Sequence, residues 1–137
     1  MGSGKSVIGR ELSKYYKIDF FDSDTEIEKK TGKSINLIFM DSGEDYFRKI
    51  EEKICLKLLN KNDCIISLGG GSIKNSKIRD KIKNNSYSIY LNVDINILSK
   101  RLNNSTKRPL LKDTNKIDKL KELYFERKEF YNKADLI

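Results

Sequence analysis

The hydrophobic positions of this chain follow two spacings, one typical of buried strands and one typical of amphipathic helices. Continuous apolar runs in "KIDFFDSD", "CIISLGGGS" and "SYSIYLNV" indicate strands, and "KADLI" indicates the beginning of one more. Elsewhere apolar residues recur every three or four positions, which predicts helices over about residues 5–16, 25–31, 34–41, 44–60, 75–84, 94–103 and 115–132. This alternation predicts an α/β domain with a parallel sheet.

Composition narrows the class of protein. The 137 residues fit one domain, 1–137, and the net charge of +8 comes mostly from lysines scattered along the chain, so we predict no nucleic-acid partner. No apolar run approaches the ~20 residues of a membrane span, and no export signal follows Met1. These features predict a cytoplasmic protein without a membrane partner. Cys55 and Cys64, in a chain without histidine, do not form a zinc-binding pattern.

The chain opens on "MGSGKS", whose Gly4-Lys5-Ser6 matches the end of the phosphate-binding pattern G-x-x-x-x-G-K-[ST]. Glycines allow backbone N–H groups to turn toward phosphate oxygens, a lysine reaches the β- and γ-phosphates, and a serine hydroxyl binds Mg²⁺. The first glycine of the pattern and the strand before it are not in the chain. A chance match at an exposed start is therefore the alternative.

Two further segments follow predicted strands, at the edge of a parallel sheet where ligands bind. Asp22 and Asp24 end the strand in "FFDSD"; one acid can hold Mg²⁺ through its waters, and the other can take the proton of a substrate hydroxyl. A solvated turn or a helix cap is the alternative for both. The glycines of "LGGGS" end the next strand, and they favour close approach of a ligand to the backbone over a plain loop.

Three arginines are candidates for binding anions. Arg48 lies in the first turns of an amphipathic helix, and the alternative to anion binding is a surface ion pair with Glu44 or Glu52. Arg108 lies in a polar loop, about residues 104–114, that can act as a lid over a transferring phosphoryl group, or can simply be exposed. Arg127 lies on or near the apolar face of the last helix, where a substrate carboxylate would serve as its partner.

The order of these motifs resembles that of shikimate kinase, a small P-loop kinase related to the nucleoside-monophosphate kinases. The matching motifs are GSGKS, "D-S-D…IE", "G-K-S-I…IF…GE…FR…E", "GGG", "RPLL" and "ER…Y…AD", and they cover nearly the whole chain. The resemblance implies a three-layer αβα fold with sheet order 2-3-1-4-5. It also implies transfer of the γ-phosphate of ATP to the 3-hydroxyl of shikimate, in aromatic amino-acid biosynthesis, by a monomer.

The resemblance also implies roles for particular residues. Asp24 would bind the shikimate hydroxyls and act as the base, with Asp22 near the metal and Arg108 on ATP. The shikimate carboxylate would be held by Arg48 and Arg127, and the backbone of Gly70 would contact the substrate. Mg²⁺ would be bound by Ser6 and Asp22, and the ATP phosphates by the loop residues Gly2, Ser3, Gly4, Lys5, Ser6 and Val7. The catalytic residues would be Lys5, Asp22, Asp24 and Arg108.

The chain departs from the family pattern in two respects. Val7 stands where the family commonly has threonine. The first strand and the C-terminal segment that closes over adenine are not present, so the sequence predicts a chain truncated at both ends. In the family order the first strand is central, and its loss would leave unpaired backbone groups at ~1–3 kcal/mol each, which predicts low stability and little activity.

Other functions remain open at this stage. A kinase of another small hydroxylated acid such as gluconate, or a nucleoside-monophosphate kinase, would share the architecture, although the set of Asp24, Arg48 and Arg127 suits a hydroxylated ring acid better than a nucleotide. An inactive fragment or a ligand-binding relative is the non-enzymatic alternative.

Overall fold

The computed structural model describes residues 2–102 and 116–137. The helices and the first two strands lie where the sequence predicts them, with ends that differ by a few residues. In chain order they are α1 (Lys5–Tyr16), β1 (Asp19–Asp22), α2 (Ser23–Thr31), α3 (Ile35–Leu58), β2 (Cys64–Ser67), a 3-10 turn (Ser72–Lys74), α4 (Ser76–Asn85), α5 (Ile95–Leu102) and α6 (Lys116–Tyr131).

The two strands form a parallel pair. Asp19 lies opposite Cys64 and Asp22 lies opposite Ser67, so both strands end at the same edge of the sheet. Their residues alternate between two faces: Ile65 lies near Gly9 of α1, whereas Ile66 packs against the cluster that α3 and α4 share. Helices therefore cover both faces of the sheet, which gives the three-layer αβα arrangement.

The strand predicted in "SYSIYLNV" is largely wrong. Within the described residues this segment forms only a single parallel bridge, in which Ile89 lies opposite Leu136. The Tyr90 amide donates to the Leu136 carbonyl at 2.8 Å, but the Ser88 amide donates to the carboxylate of Asp135 at 2.7 Å. Because a side chain takes that backbone donor, the ladder does not extend past it. The final "KADLI", predicted as the beginning of a strand, likewise contributes only the other half of this bridge.

A break at Gly43 divides α3. Gly43 has φ 78° and ψ 174°, which is not helical, and this positive φ favours glycine over any residue with a side chain. The two helical pieces predicted for this region are therefore distinct segments on either side of Gly43. The second segment directs Arg48 and Glu51 toward the carboxyl ends of the strands.

Two apolar clusters fix the helices on the sheet. Ile27, Ile38 and Phe47 join α2 to α3, while Cys55, Leu59 and Ile78 join α3 to α4. Burial raises the pKa of the Cys55 thiol to about 12, and both Cys55 and Cys64 are free. No helix of the described ranges is long and apolar enough to cross a membrane.

Candidate functional site

A cleft opens at the edge of the sheet where β1 and β2 both end. It brings together residues from three separate parts of the sequence because the parallel register sets Asp22 beside Ser67 and α1 begins at the same edge. The residues that line it are Lys5, Ser6, Asp22, Asp24, Ser67, Leu68, Gly69 and Gly70. Five of the residues predicted from the sequence thus meet here.

The glycine-rich start of the chain forms a turn into α1. Gly4 caps the helix with φ 91°, and Gly2 also has a positive φ, 72°. A Cβ at Gly4 would meet no atom within 4 Å, so glycine is required there by backbone conformation rather than by space. The N-terminus of α1 carries no acidic side chain in its first turn, and its helix dipole favours an anion. The side chain of Val7 is 66% exposed.

Ser6 and Asp22 form the polar centre of the cleft. The Ser6 hydroxyl donates to Oδ2 of Asp22 at 2.5 Å, and the Ser67 hydroxyl lies 3.5 Å from the same serine oxygen. Oδ1 of Asp22 caps α2 by accepting from the amides of Asp24, at 3.0 Å, and Thr25, at 3.4 Å. Sequence reasoning missed Ser67; its position at the end of a strand, beside a glycine run, was the available signal.

The oxygen atoms of this centre fit a divalent cation. No group of three or more His, Cys, Asp or Glu side chains within residues 2–102 and 116–137 could hold a metal alone. A hydroxyl and one carboxylate are instead the set that Mg²⁺ uses when water and phosphate oxygens complete its coordination. Ser6 and Asp22 therefore fit such an ion only in combination with a phosphate ligand.

Two carboxylates approach the backbone of Gly69. A Cβ at this position would lie 2.8 Å from Oδ1 of Asp24 and 3.0 Å from Oε1 of Glu51. The Gly69 amide donates to the hydroxyl of Ser23 at 2.8 Å, which fixes the backbone against the start of α2. Only glycine leaves room for both acids at their present distance.

Glu51 is a site residue that sequence reasoning missed. Its side chain is 3% exposed, and burial raises its pKa, with the charge of Asp24 adding to the rise and the charges of Arg48 and Arg127 opposing it. The spacing of three residues from Arg48 on one helix was a signal for it. The sequence instead offered Glu52 as a partner of that arginine, but Glu52 bonds Asn75 and Lys77.

Arg48 is held between two acids. Its Nη1 donates to Glu51 at 2.6 Å, while Nε and Nη2 donate to one oxygen of Glu44 at 3.1 Å and 2.8 Å. The guanidinium lies over the glycine loop, residues 69–71, where a Cβ at Gly71 would be 2.6 Å from Nη1. The ion pair with Glu44 is the contact that sequence reasoning offered as the alternative to ligand binding. Both acids contribute to a raised pKa for the arginine.

Arg127 lies on α6 and is not among the residues that line the cleft. Its side chain is 4% exposed, and its Nε has no hydrogen-bond partner within the described part of the chain. Its charge acts on Glu51 and on Tyr131, whose hydroxyl donates to the carbonyl of Gly70 at 2.7 Å. A buried guanidinium with an unpaired N–H is suited to an anion that enters from outside.

A family model described as shikimate kinase matches residues 1–137. The chain belongs to the shikimate kinase family. Among curated relatives, the shikimate kinase of Bartonella quintana is 40% identical over 136 residues, which are 99% of this chain and 65% of the relative. The shikimate kinase of Aquifex aeolicus is 38% identical over 136 residues, 99% of this chain and 80% of the relative. The chain thus spans about two thirds of the first relative and four fifths of the second.

Solved shikimate kinases have the same fold. The enzyme from Acinetobacter baumannii, solved in complex with shikimate, superposes with a TM-score of 0.96 at 34% identity, covering 99% of this chain and 76% of that one. The enzyme from Aquifex aeolicus gives a TM-score of 0.85 at 38% identity, and the match covers 99% of this chain and 80% of that one. These likenesses confirm the predicted P-loop kinase-like α/β fold.

Arg108 and the loop around residues 104–114 lie outside the described residues. The prediction that this loop is a lid over ATP therefore stays a prediction. The other family residues named from the sequence lie within the described ranges.

Proposed function

We propose that this chain transfers the γ-phosphoryl group of ATP to the 3-hydroxyl of shikimate, a step of aromatic amino-acid biosynthesis. The observation that carries the proposal is the lining of one cleft. It combines the phosphate-loop residues Lys5 and Ser6 with Asp24 and Gly70, so that a phosphoryl donor and a hydroxyl acceptor meet in the same space. Membership of the shikimate kinase family supports this choice of donor and acceptor.

The phosphate end of the cleft is formed by the start of α1. Gly2, Ser3 and Gly4 direct backbone amides at the ATP phosphates. Val7 contributes by closing the turn of this loop, because its amide donates to the Gly4 carbonyl at 3.0 Å. Lys5 neutralises the charge that builds on the transferring group, and Arg108 adds a second positive charge from its loop. Both roles follow the family pattern in which these residues stand.

The cation of the reaction is Mg²⁺ in this proposal, held by the Ser6 hydroxyl and by Asp22, the latter through water. When bound, it supplies charge stabilisation to the phosphate oxygens. The 2.5 Å hydrogen bond between Ser6 and Asp22 supports the assignment because it keeps both oxygens at the mouth of the phosphate loop. Asp22 also caps α2, so its carboxylate is fixed before any ligand enters.

Asp24 accepts the proton of the substrate hydroxyl. Both carboxylate oxygens of Asp22 accept hydrogen bonds from Ser6 and from the start of α2, which suits Asp22 to the metal side of the site, and the family pattern assigns the base to Asp24. Asp24 lines the cleft beside Gly69 and Gly70, so that its carboxylate can contact the attacking hydroxyl of a substrate bound there. Positioning contributes most of the rate in such a reaction because the phosphoryl transition state needs little covalent help.

Arg48 and Arg127 hold the shikimate carboxylate. The buried and unpaired Nε of Arg127 supports this role, and Arg48 lies across the glycine loop from it. Guanidinium groups bind carboxylates through two parallel hydrogen bonds, which fixes the ring of the substrate as well as its charge. The backbone of Gly70 contacts the same ring.

The proposal extends to the setting of the reaction. The enzyme acts as a monomer in the cytoplasm, where ATP is available, and it needs neither nucleic acid nor a membrane. Gel filtration combined with light scattering tests the monomer, and a mass twice that of the 15.9 kDa chain would contradict it.

The test of the function is shikimate-dependent release of ADP from Mg-ATP, with gluconate and AMP as control acceptors. We expect release only with shikimate. Asp24→Asn should lower kcat by about 100-fold to 10,000-fold, because it removes the base, whereas Asp80→Asn on the exposed face of α4 should leave kcat unchanged. Equal release with a control acceptor, or full activity of Asp24→Asn, would contradict the proposal.

A further inference from the structure

Tyr131 connects the last helix to the glycine loop, defined here as residues 69–71. Its hydroxyl donates a 2.7 Å hydrogen bond to the carbonyl of Gly70, 61 residues away along the chain. Tyr131 stands four residues after Arg127 on α6, and residues at this spacing share a face of a helix. The helix face that carries Arg127 is therefore tied directly to the loop that lines the cleft.

The phenol ring of Tyr131 is held from its other side by Tyr90. The two rings stack with centroids 4.8 Å apart and planes inclined by 16°. Tyr90 is itself anchored, because its amide donates to the carbonyl of Leu136 at 2.8 Å. Burial raises the pKa of Tyr131, and the charge of Arg127 offsets only part of the rise. The hydroxyl therefore stays protonated at neutral pH and remains a donor.

The glycine loop lies between two arginines. On one side Gly70 is tied to α6, which carries Arg127; on the other, a Cβ at Gly71 would lie 2.6 Å from Nη1 of Arg48. The loop therefore occupies the space between the Arg48 guanidinium and α6. A displacement of the loop toward Arg48 would push against that guanidinium, which its pairs with Glu44 and Glu51 otherwise hold in place.

We propose that Tyr131 is a positioning residue, whose hydroxyl holds the glycine loop against α6 and so sets the spacing of Arg48 and Arg127 for one substrate carboxylate. This inference rests on the proposed function because it concerns the two arginines assigned there to the carboxylate. The fold does not depend on the hydroxyl. Lys74 pairs with Glu126 at 3.1 Å, and Arg79 lies 4.3 Å from the Phe130 ring, so α6 stays packed on the segment after the loop.

The first measurement needs no ligand. Tyr131→Phe removes only the hydroxyl. Tyr90→Phe is the matched control, since the Tyr90 hydroxyl donates to Asn92 at 3.4 Å and makes no other hydrogen bond within residues 2–102 and 116–137. Amide hydrogen exchange of Ser72, whose N–H donates to the Gly69 carbonyl at 3.0 Å, reports on the loop. We expect exchange at Ser72 to become about fivefold faster in Tyr131→Phe and to stay unchanged in Tyr90→Phe. Unchanged exchange in Tyr131→Phe would overturn the inference.

The second measurement is calorimetric binding of shikimate and of Mg-ATP to the same variants. Tyr131→Phe should weaken shikimate binding by about fivefold, with unchanged ATP binding, because only the carboxylate end depends on the loop. If Tyr131 had a purely structural role, Tyr131→Phe would weaken the binding of both shikimate and Mg-ATP, or of neither. Either result would overturn the inference. If the parent chain binds no shikimate, the proposed function fails, and the exchange of Ser72 alone decides the role of Tyr131.

Discussion

Gly69 and Gly71 are two residues apart, and alanine at each should produce a different kinetic defect. A Cβ at Gly69 would fall 2.8 Å from Oδ1 of Asp24 and 3.0 Å from Oε1 of Glu51, whereas a Cβ at Gly71 would meet the guanidinium of Arg48. Neither glycine has a positive φ, so the backbone itself accepts alanine. Each substitution is therefore a local steric perturbation of particular side chains.

The size of the effect follows from the distances. Ordinary contact begins at 3.4 Å, so Asp24 has to withdraw by about 0.6 Å and Glu51 by about 0.4 Å in Gly69→Ala. A misplacement of ~1 Å in a reacting group costs about 100-fold in rate, so we expect kcat to fall by about tenfold to 100-fold. Overpacking of this kind also lowers the free energy of unfolding by ~1–3 kcal/mol.

Steady-state kinetics with shikimate and Mg-ATP separate the two variants. Gly69→Ala should lower kcat with a small change in KM for shikimate, because it moves Asp24, the proposed base. Gly71→Ala should raise KM for shikimate with a smaller change in kcat, because it moves Arg48, which is proposed to bind the carboxylate. Thermal melts serve as the control for folding. If both variants show the same pattern, or if Gly69→Ala keeps the kcat of the parent at equal stability, the assignment of Asp24 and Arg48 is wrong.

Three further changes test the ion pairs and the metal site. Ser6→Ala should raise the Mg²⁺ concentration for half-maximal activity by about tenfold. Its Tm should change little, since Asp22 still caps α2. An unchanged Mg²⁺ requirement would contradict the role of Ser6 at the metal. Arg127→Met should weaken shikimate binding by ~2–5 kcal/mol in calorimetry without lowering the free energy of unfolding, because a buried cation is replaced by an apolar chain. Retained affinity would contradict this. Burial raises the pKa of Glu51 above 4.5, the value of an unperturbed glutamate. Its contribution to the free energy of unfolding is therefore fully present below pH 4.5 and is lost as pH rises through its folded-state pKa. The difference in Tm between Glu51→Gln and the parent should therefore increase in favour of the variant as pH rises from about 4 to about 8. A difference that does not change with pH would contradict the reasoning.

Local sequence patterns were enough to predict most helices and the two paired strands. The spacing of apolar residues defined α1, α4, α5 and α6 within a few positions, because helix periodicity depends only on neighbours along the chain. The segment around Ile89 was the exception. Its apolar run is typical of a strand, but strand formation depends on a partner, and Asp135 takes the Ser88 amide that a longer ladder would use.

The sequence by itself also determined the chemical character of the site. Its motifs identify a phosphate loop, two acids after a strand and three arginines, and the structure describes all of them except Arg108. Their order along the chain was sufficient to indicate the family because each motif is a short local pattern. The membership that the family model shows agrees with this.

The tertiary structure decided which of these groups meet. The burial of Glu51, the contact of Ser67 with Ser6 and the tie from Tyr131 to Gly70 all join residues of different elements. Glu51 and Glu52 are neighbours of the same type, yet one is buried beside Arg48 and the other pairs with a surface lysine. Only the packing of α3 on the sheet distinguishes them, because burial and charge environment depend on distances that the sequence does not contain.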